Sequence, residues 1–270
     1  MKNPHTSLSH DEQYLSDGRS LSYTLSGAPD GNPVVLHHGT PGSRLFASLL
    51  SAVAAEEGVK LITPERPGFG QSSPPPNGWT WQDWQHDLTE LLQGESIEKA
   101  SVLGFSGGGP FALAAGRAEW ASRIALVSSV IPPSRNALAK LSKIPYTLRL
   151  LFRVSEKLAT IRGAESVVRQ YTDQTVSETV AQQIAADFHE AFRQNAKAVA
   201  RENRSFTEGV LPQEQMAVPI RAWHGAEDTN TPIESVDKFI ERNEGELITT
   251  KSDHFGTLLE CKQAILHWLR

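Results

Sequence analysis

The sequence predicts an α/β domain: a mostly parallel sheet with helices on both faces, carrying one helical insertion. Three observations lead there. Short apolar runs alternate with helix-length amphipathic stretches up to about Ser128. One of those runs, Val102-Leu103-Gly104-Phe105, passes directly into Ser106-Gly107-Gly108-Gly109 and then a helical pattern, a strand-turn-helix with Gly-x-Ser-x-Gly at the turn. From Ile131 to Pro219 strand signals stop, and the 270-residue chain is long enough for one large α/β domain plus such an insertion.

Residues from Gln13 to Ser26 alternate around Asp17-Gly18 and read as an antiparallel hairpin ahead of the main sheet. Strands follow at Val34 to His38, Lys60 to Thr63, Ala100 to Phe105 and Ile124 to Ser128, with helices beginning near Ser43, Thr80 and Gly107. The aromatic stretch Trp79-Thr80-Trp81-Gln82-Asp83-Trp84 fits packing against the sheet better than the lining of an entrance. Pro132-Pro133 and Pro212 mark the exit to the insertion and the return from it. Inside it, Thr175-Val176-Ser177-Glu178 has capping-box spacing, and Val176, Val180, Ile184, Phe188 and Phe192 follow at four-residue steps. Strands resume at Ile220 to Gly225 and Leu247 to Thr250, and an amphipathic helix closes the chain. Its single cysteine, Cys261, reads as a buried helix position and cannot form a disulfide within one chain.

Ser106 alone supports two readings, a nucleophile on a sharp turn or a glycine-rich helix start capped by serine. Three other segments favour the first. Val34-Val35-Leu36-His37-His38 breaks into Gly39-Thr40-Pro41-Gly42-Ser43, a loop that leaves backbone amides unpaired. Downstream, Ala226-Glu227-Asp228 follows one strand, and Lys251-Ser252-Asp253-His254-Phe255-Gly256 follows the next. The order is serine, acid, histidine. A serine hydroxyl is a poor nucleophile at neutral pH, so an imidazole must take its proton as it attacks. A carboxylate must then fix the imidazole tautomer and steady its positive charge. The oxyanion needs preorganised donors, which backbone N–H groups provide.

With Glu65-Arg66-Pro67-Gly68-Phe69-Gly70-Gln71-Ser72 added to those motifs, the chain resembles the α/β-hydrolase superfamily over nearly its whole length. The resemblance implies an eight-stranded, mostly parallel sheet, with a core of 1–130 and 217–270 and a helical cap of 131–216. It implies Ser106 as nucleophile, His254 as general base, Asp228 as orienting acid, and an oxyanion hole from the N–H groups of Thr40 and Gly107. Glu65 stands where the family usually has Asp, and the run after Ser106 is unusually rich in glycine. Glu227 and Asp253 are rivals for the acid: Glu227 would need a shifted turn, and Asp253 adjoins the histidine and should point away from its ring. His5 and His10 fall in a loose N-terminus, His86, His189 and His267 on helical patterns. His37, His38 and His224 read as rings that fill space at strand ends.

The expected function is hydrolysis of a small-molecule carboxylic ester through an acyl-enzyme. A serine nucleophile separates the chain from dehalogenase and epoxide-hydrolase relatives, which use aspartate. Proline iminopeptidases resemble it through Gly39-Thr40-Pro41-Gly42 but carry a second glycine in place of Thr40. Lactone and carbon–carbon bond hydrolases share each catalytic residue named, and a slow-turnover ligand receptor would keep them too. A cofactor-free oxygenase or lyase would use His254 and Asp228 with Ser106 as a hydrogen-bond donor. A net charge of -5 gives no footprint for nucleic acid. His37-His38 has no further ligand at metal spacing, and neither Gly-x-Gly-x-x-Gly after the first strand nor a phosphate loop occurs, so neither metal nor cofactor is expected. The N-terminus lacks the apolar core of a signal peptide and no run reaches membrane-spanning length. A cytoplasmic location with no membrane partner is the expectation.

Overall fold

The computed structural model describes residues 8–134, 146–211 and 214–270. The expectations for His5 and Pro212 lie outside the described residues. The predicted hairpin forms from β1 (Ser9–Tyr14) and β2 (Ser20–Gly27), with Gly18 at φ +85° in the turn. Then come β3 (Asn32–His37), β4 (Val59–Pro64), β5 (Ala100–Phe105), β6 (Ala121–Val127), β7 (Ile220–Gly225) and β8 (Glu246–Thr250). They make one eight-stranded sheet in the order β1-β2-β4-β3-β5-β6-β7-β8. Pairings β1/β2 and β2/β4 are antiparallel and the rest parallel, as the sequence predicts.

All six residues of β5 are buried, because helices cover both faces; its one polar side chain, Ser101, is satisfied by donating to Leu269 O. Side-chain alternation divides the strands between two apolar layers. Val34, Leu36, Leu103 and Phe105 pack with α1 (Ser51–Glu56) and α9 (Gly256–Leu269). Val35, Val102, Leu126 and Ala222 pack with α2 (Trp81–Gly94), α3 (Gly109–Ala115) and α8 (Ile233–Arg242). The helix expected near Ser43 starts as a short 3-10 helix, Arg44–Leu49, with Ser43 capping Leu45 N–H. Trp84 is fully buried against Phe111, Trp79 and His37 and packs on the sheet side as expected, whereas Trp79 and Trp81 are only partly buried and wall a surface groove. Cys261 is only partly buried, since its position on α9 falls at the edge of the helix's core face.

Between β6 and β7 the described residues form α4 (Thr147–Arg162), α5 (Ala164–Val168), α6 (Glu178–Ala191) and α7 (Lys197–Glu208). The capping box expected from Thr175 does not form; the helix starts two residues later, with Ser177 as a simple N-cap that accepts from Val180 N–H. Thr172 and Gln174 are tied to Asp253 and Ser252, and the backbone turns helical only past that anchorage. Ile184, Phe188 and Phe192 are buried and Val180 and Val176 partly so. Phe188 packs against Phe192 with ring centroids 5.0 Å apart and the planes tilted, and Phe192 meets Phe152 of α4. This layer is continuous with Phe46 and Phe105 beneath it, which seats the insertion on the carboxyl ends of the strands.

Candidate active site

Ligand chemistry in open α/β sheets collects at the carboxyl ends of the parallel strands, and the residues singled out above meet there. Ser106 follows β5 at φ 51°, a left-handed conformation costly for a non-glycine residue and characteristic of a serine held up on a strand-to-helix turn. Its neighbours must be small. A Cβ on Gly108 would collide with the carbonyls of His37 and His38, and one on Gly107 with Thr40.

Ser106 Oγ lies 2.9 Å from His254 Nε2, and His254 Nδ1 lies 2.8 Å from Asp228 Oδ2. The Asp228 side chain is fully buried and His254 nearly so. Burial pushes the Asp228 carboxyl up, but the bonds from His254 and Thr231 outweigh it and hold it at about 2. Asp228 is therefore an anion that only accepts, so the ring proton sits on Nδ1 and Nε2 is free to accept from the Ser106 hydroxyl. Thr231 donates from Oγ1 to Oδ2 at 2.7 Å, and the N–H groups of Asn230 and Thr231 hold Oδ1. Thr231 is a partner that sequence reasoning missed; its signal was an Asp followed by Asn230 and Thr231, an Asx-type turn that fixes its own carboxylate.

The rival residues are elsewhere. Asp253 accepts from Thr172 Oγ1, Asp173 N–H and Gly256 N–H, so it points away from the ring of His254. Glu227 is exposed. His224 faces Thr231 O at 3.1 Å and lies behind Asp228. Burial lowers its pKa, which favours a neutral spacer. His37 and His38 are fully buried, and burial reinforced by the Arg66 cation pushes both down, His37 to about 3.

Thr40 and Gly107 are adjacent, and Gly107 sits in the first turn of the 3-10 helix Ser106–Gly108, where N–H groups have no helical acceptor. Beneath them lies a buried pair that the sequence did not reveal. Arg66 donates from Nε to Glu202 Oε1 at 2.7 Å and from Nη2 to Oε2 at 2.9 Å. It also donates from Nη1 to His38 O at 2.6 Å, and from Nη2 to Gly39 O and Thr40 Oγ1, both at 2.9 Å. Thr40 Oγ1 donates to Glu202 Oε2 at 2.6 Å. Glu202 belongs to α7, on the same face as Val199 and Phe206; an acid on an apolar stripe was the available signal that a buried cation faced it.

A narrow cleft of about 10 Å³ opens beside Phe105, bordered by Pro41, Phe46, Leu49, Ile184 and Phe255. This is room for roughly one water. Of the apolar stripe on α6, Ile184 borders it, while Phe188 and Phe192 belong to the core. Asp187 also borders the cleft. Burial pushes its carboxyl up to about 7, against the bonds from Ser43 N–H and Oγ at 2.7 Å each. A larger groove of about 770 Å³, walled by Trp79, Trp81 and Phe111, runs along Glu202; Ser106, His254 and Asp228 border neither this groove nor the cleft, whose link to the site is Phe105, in ring contact with His254. Among the described residues no three His, Cys, Asp or Glu side chains are grouped to hold a metal ion, and no helix is long and apolar enough to cross a membrane.

Sheet order, strand-end serine and inserted helices together define an α/β-hydrolase architecture. The model of the alpha/beta hydrolase family matches residues 34–260, and the chain belongs to that family. It is 33% identical over 121 residues to a non-heme chloroperoxidase of Streptomyces lividans, a match that takes in 44% of each protein. It is 32% identical over 109 residues to a proline iminopeptidase of Lactobacillus delbrueckii subsp. lactis, covering 38% of this chain and 37% of that one. The chain thus matches less than half the length of either relative. A solved hydrolase of Pseudomonas aeruginosa shares the fold at a TM-score of 0.74 over 95% of both chains, with 18% identity.

Proposed function

We propose that this family member is a serine hydrolase that cleaves a small carboxylic ester through an acyl-enzyme. The observation that carries the reading is the unbroken relay Ser106 Oγ, His254 Nε2, His254 Nδ1, Asp228 Oδ2. As Ser106 Oγ attacks the ester carbonyl carbon, His254 takes the hydroxyl proton and the carbonyl pair moves onto oxygen. The oxyanion is received by the N–H groups of Thr40 and Gly107. Collapse breaks the bond to the alkoxy group, which leaves with the proton held by His254. A water activated by the same imidazole then releases the acid and restores Ser106. The apolar border of Phe46, Leu49, Phe105, Ile184 and Phe255 suits an apolar acyl group. Because the cleft holds about one water, the helical wall carrying Ile184 must shift to admit it. That role makes residues 131–216 a cap.

An organophosphonate should add one adduct at the Ser106 peptide, and Ser106→Ala should lower kcat by about 10⁶. Retained activity in Ser106→Ala would replace the acyl-enzyme with a route in which Ser106 only donates a hydrogen bond. A second reading, hydrolysis of an amino-acyl amide, is favoured by the likeness to the proline iminopeptidase. A substrate panel of esters, lactones and prolyl amides separates the two.

A further inference from the structure

The Arg66–Glu202 pair carries a consequence for the oxyanion hole. The Gly39–Thr40 peptide is planar and trans, so its C=O and N–H point in opposite directions. Gly39 O is held by Arg66 Nη2 at 2.9 Å and by His38 Nδ1 at 2.8 Å. With the carbonyl fixed on the Arg66 side, the Thr40 N–H is fixed on the other. The preceding peptide is pinned too, because Arg66 Nη1 takes His38 O at 2.6 Å. One planar guanidinium therefore sets two successive peptide planes, which a lysine ammonium, with no fork, cannot do.

Arg66 is fully buried in its turn, and Glu202 is what holds it. Both carboxylate oxygens accept from Arg66, and Oε2 also accepts from Thr40 Oγ1, so the acid grips the guanidinium and the loop residue together. Phe111 and Phe69 flank the guanidinium at 4.5 and 5.3 Å. Glu202 is on α7 of the insertion, whereas Thr40, Arg66 and Ser106 lie just past the ends of β3, β4 and β5. Seating of the insertion and aim of the oxyanion donor are thus one event.

We propose that Glu202 is a positioning residue for catalysis: through Arg66 it orients the Gly39–Thr40 peptide so that the Thr40 N–H meets the oxyanion, coupling closure of the inserted helices to assembly of the oxyanion hole. This rests on the serine-hydrolase reading. Glu202 touches no reacting atom. Its effect falls on the transition state, where the oxyanion exists, and not on ground-state binding.

Glu202→Gln keeps shape and loses the charge that holds Arg66. We expect kcat to fall on the order of 10²-fold with KM changed by no more than about twofold. Affinity for a trifluoromethyl ketone, which forms an oxyanion with Ser106, should fall in parallel. Affinity for the acid product should not. Arg66→Lys, which preserves the buried charge pair but not the fork, should reproduce the kcat loss, and it carries the test if Glu202→Gln does not fold. Glu202→Asp should recover part of kcat. An unchanged kcat in a folded variant, or ketone and product affinities that fall equally, would overturn the proposal. Failure of the wild-type protein to react with a phosphonate at Ser106 marks failure of the serine-hydrolase reading instead.

Discussion

Two buried aspartates, Asp228 against His254 and Asp187 at the border of the cleft, end in opposite charge states. Asp228, at the end of β7, is held at about 2; Asp187, on α6, is pushed up to about 7. Burial acts upward on both. The difference is in the donors: Asp228 receives His254, which can become a cation, together with Thr231 and the N–H groups of Asn230 and Thr231. Asp187 receives neutral donors from Ser43, both on Oδ1. On the proposed mechanism the sheet side keeps a fixed anion for proton transfer, while the inserted side carries an acid whose charge changes near neutral pH. That mechanism separates chemistry from closure between the two parts of the chain.

The largest effect should come from the sheet side. Asp228→Asn removes the anion, favours the wrong imidazole tautomer and should lower kcat by about 10⁴ with the fold retained, read by steady-state kinetics beside circular dichroism. A loss below tenfold would remove Asp228 from the relay. Its folded pKa is depressed, so its contribution to stability is present above about pH 4 and is lost as pH falls toward 2.

Asp187 has the reverse sign. The folded state holds its proton more tightly than the unfolded state, so stability falls as pH rises from about 4 to about 7 and is level above. The fall attributable to this group is on the order of 4 kcal/mol. Asp187→Asn should flatten that part of the stability profile in urea titrations across the range, with the Ser43 bonds kept by the amide oxygen. A profile that keeps its slope would assign the loss to another buried acid, such as Glu65, which burial also pushes up.

Two apolar side chains on α6 sharpen the same division. Phe188→Ala should cost roughly 3–5 kcal/mol of stability and leave acyl preference unchanged, because the ring is buried against Phe192 and does not border the cleft. Ile184→Val should cost about 1 kcal/mol and shift preference toward bulkier acyl groups. Thermal melts and rates over an ester series read both. If the two variants exchange these effects, the cleft wall has been placed on the wrong residues.

The sheet side was legible because its signals are local. A strand running into Ser106, a turn after β7 reaching Asp228, and His254 just past β8 each fit within about ten residues, and strand order brings them together. The inserted side depends on contacts between residues far apart in sequence: Thr40 with Glu202, Ser43 with Asp187, Arg44 with Glu190. No spacing encodes such pairs. What the sequence does carry is half of each: Asp187 flanks Phe188 on a buried face and Glu202 lies between Val199 and Phe206, and an acid in such a place must have a partner. The helix start at Ser177 was hidden for the same reason, since Thr175 is also a hydroxyl at capping spacing and the choice is made by remote anchors at Ser252 and Asp253.

The smallest expected effect tests where those two sides join. Asp253 adjoins His254 in sequence, yet its carboxylate serves Thr172 and Asp173 from the loop between α5 and α6 and caps Gly256 N–H at the start of α9. Asp253→Asn keeps one acceptor oxygen, without its charge, and turns the other into an NH2 that cannot accept, so a destabilisation of about 1 kcal/mol and a kcat within about threefold are expected. The comparison with Asp228→Asn is decisive because the two acids are rivals in sequence and differ only in which way the fold turns them. A kcat loss near 10⁴ in Asp253→Asn, with Asp228→Asn mild, would mean that the acting acid approaches His254 from the insertion side. Chemistry and closure would then share one carboxylate, and the division between the two parts of the chain would fail.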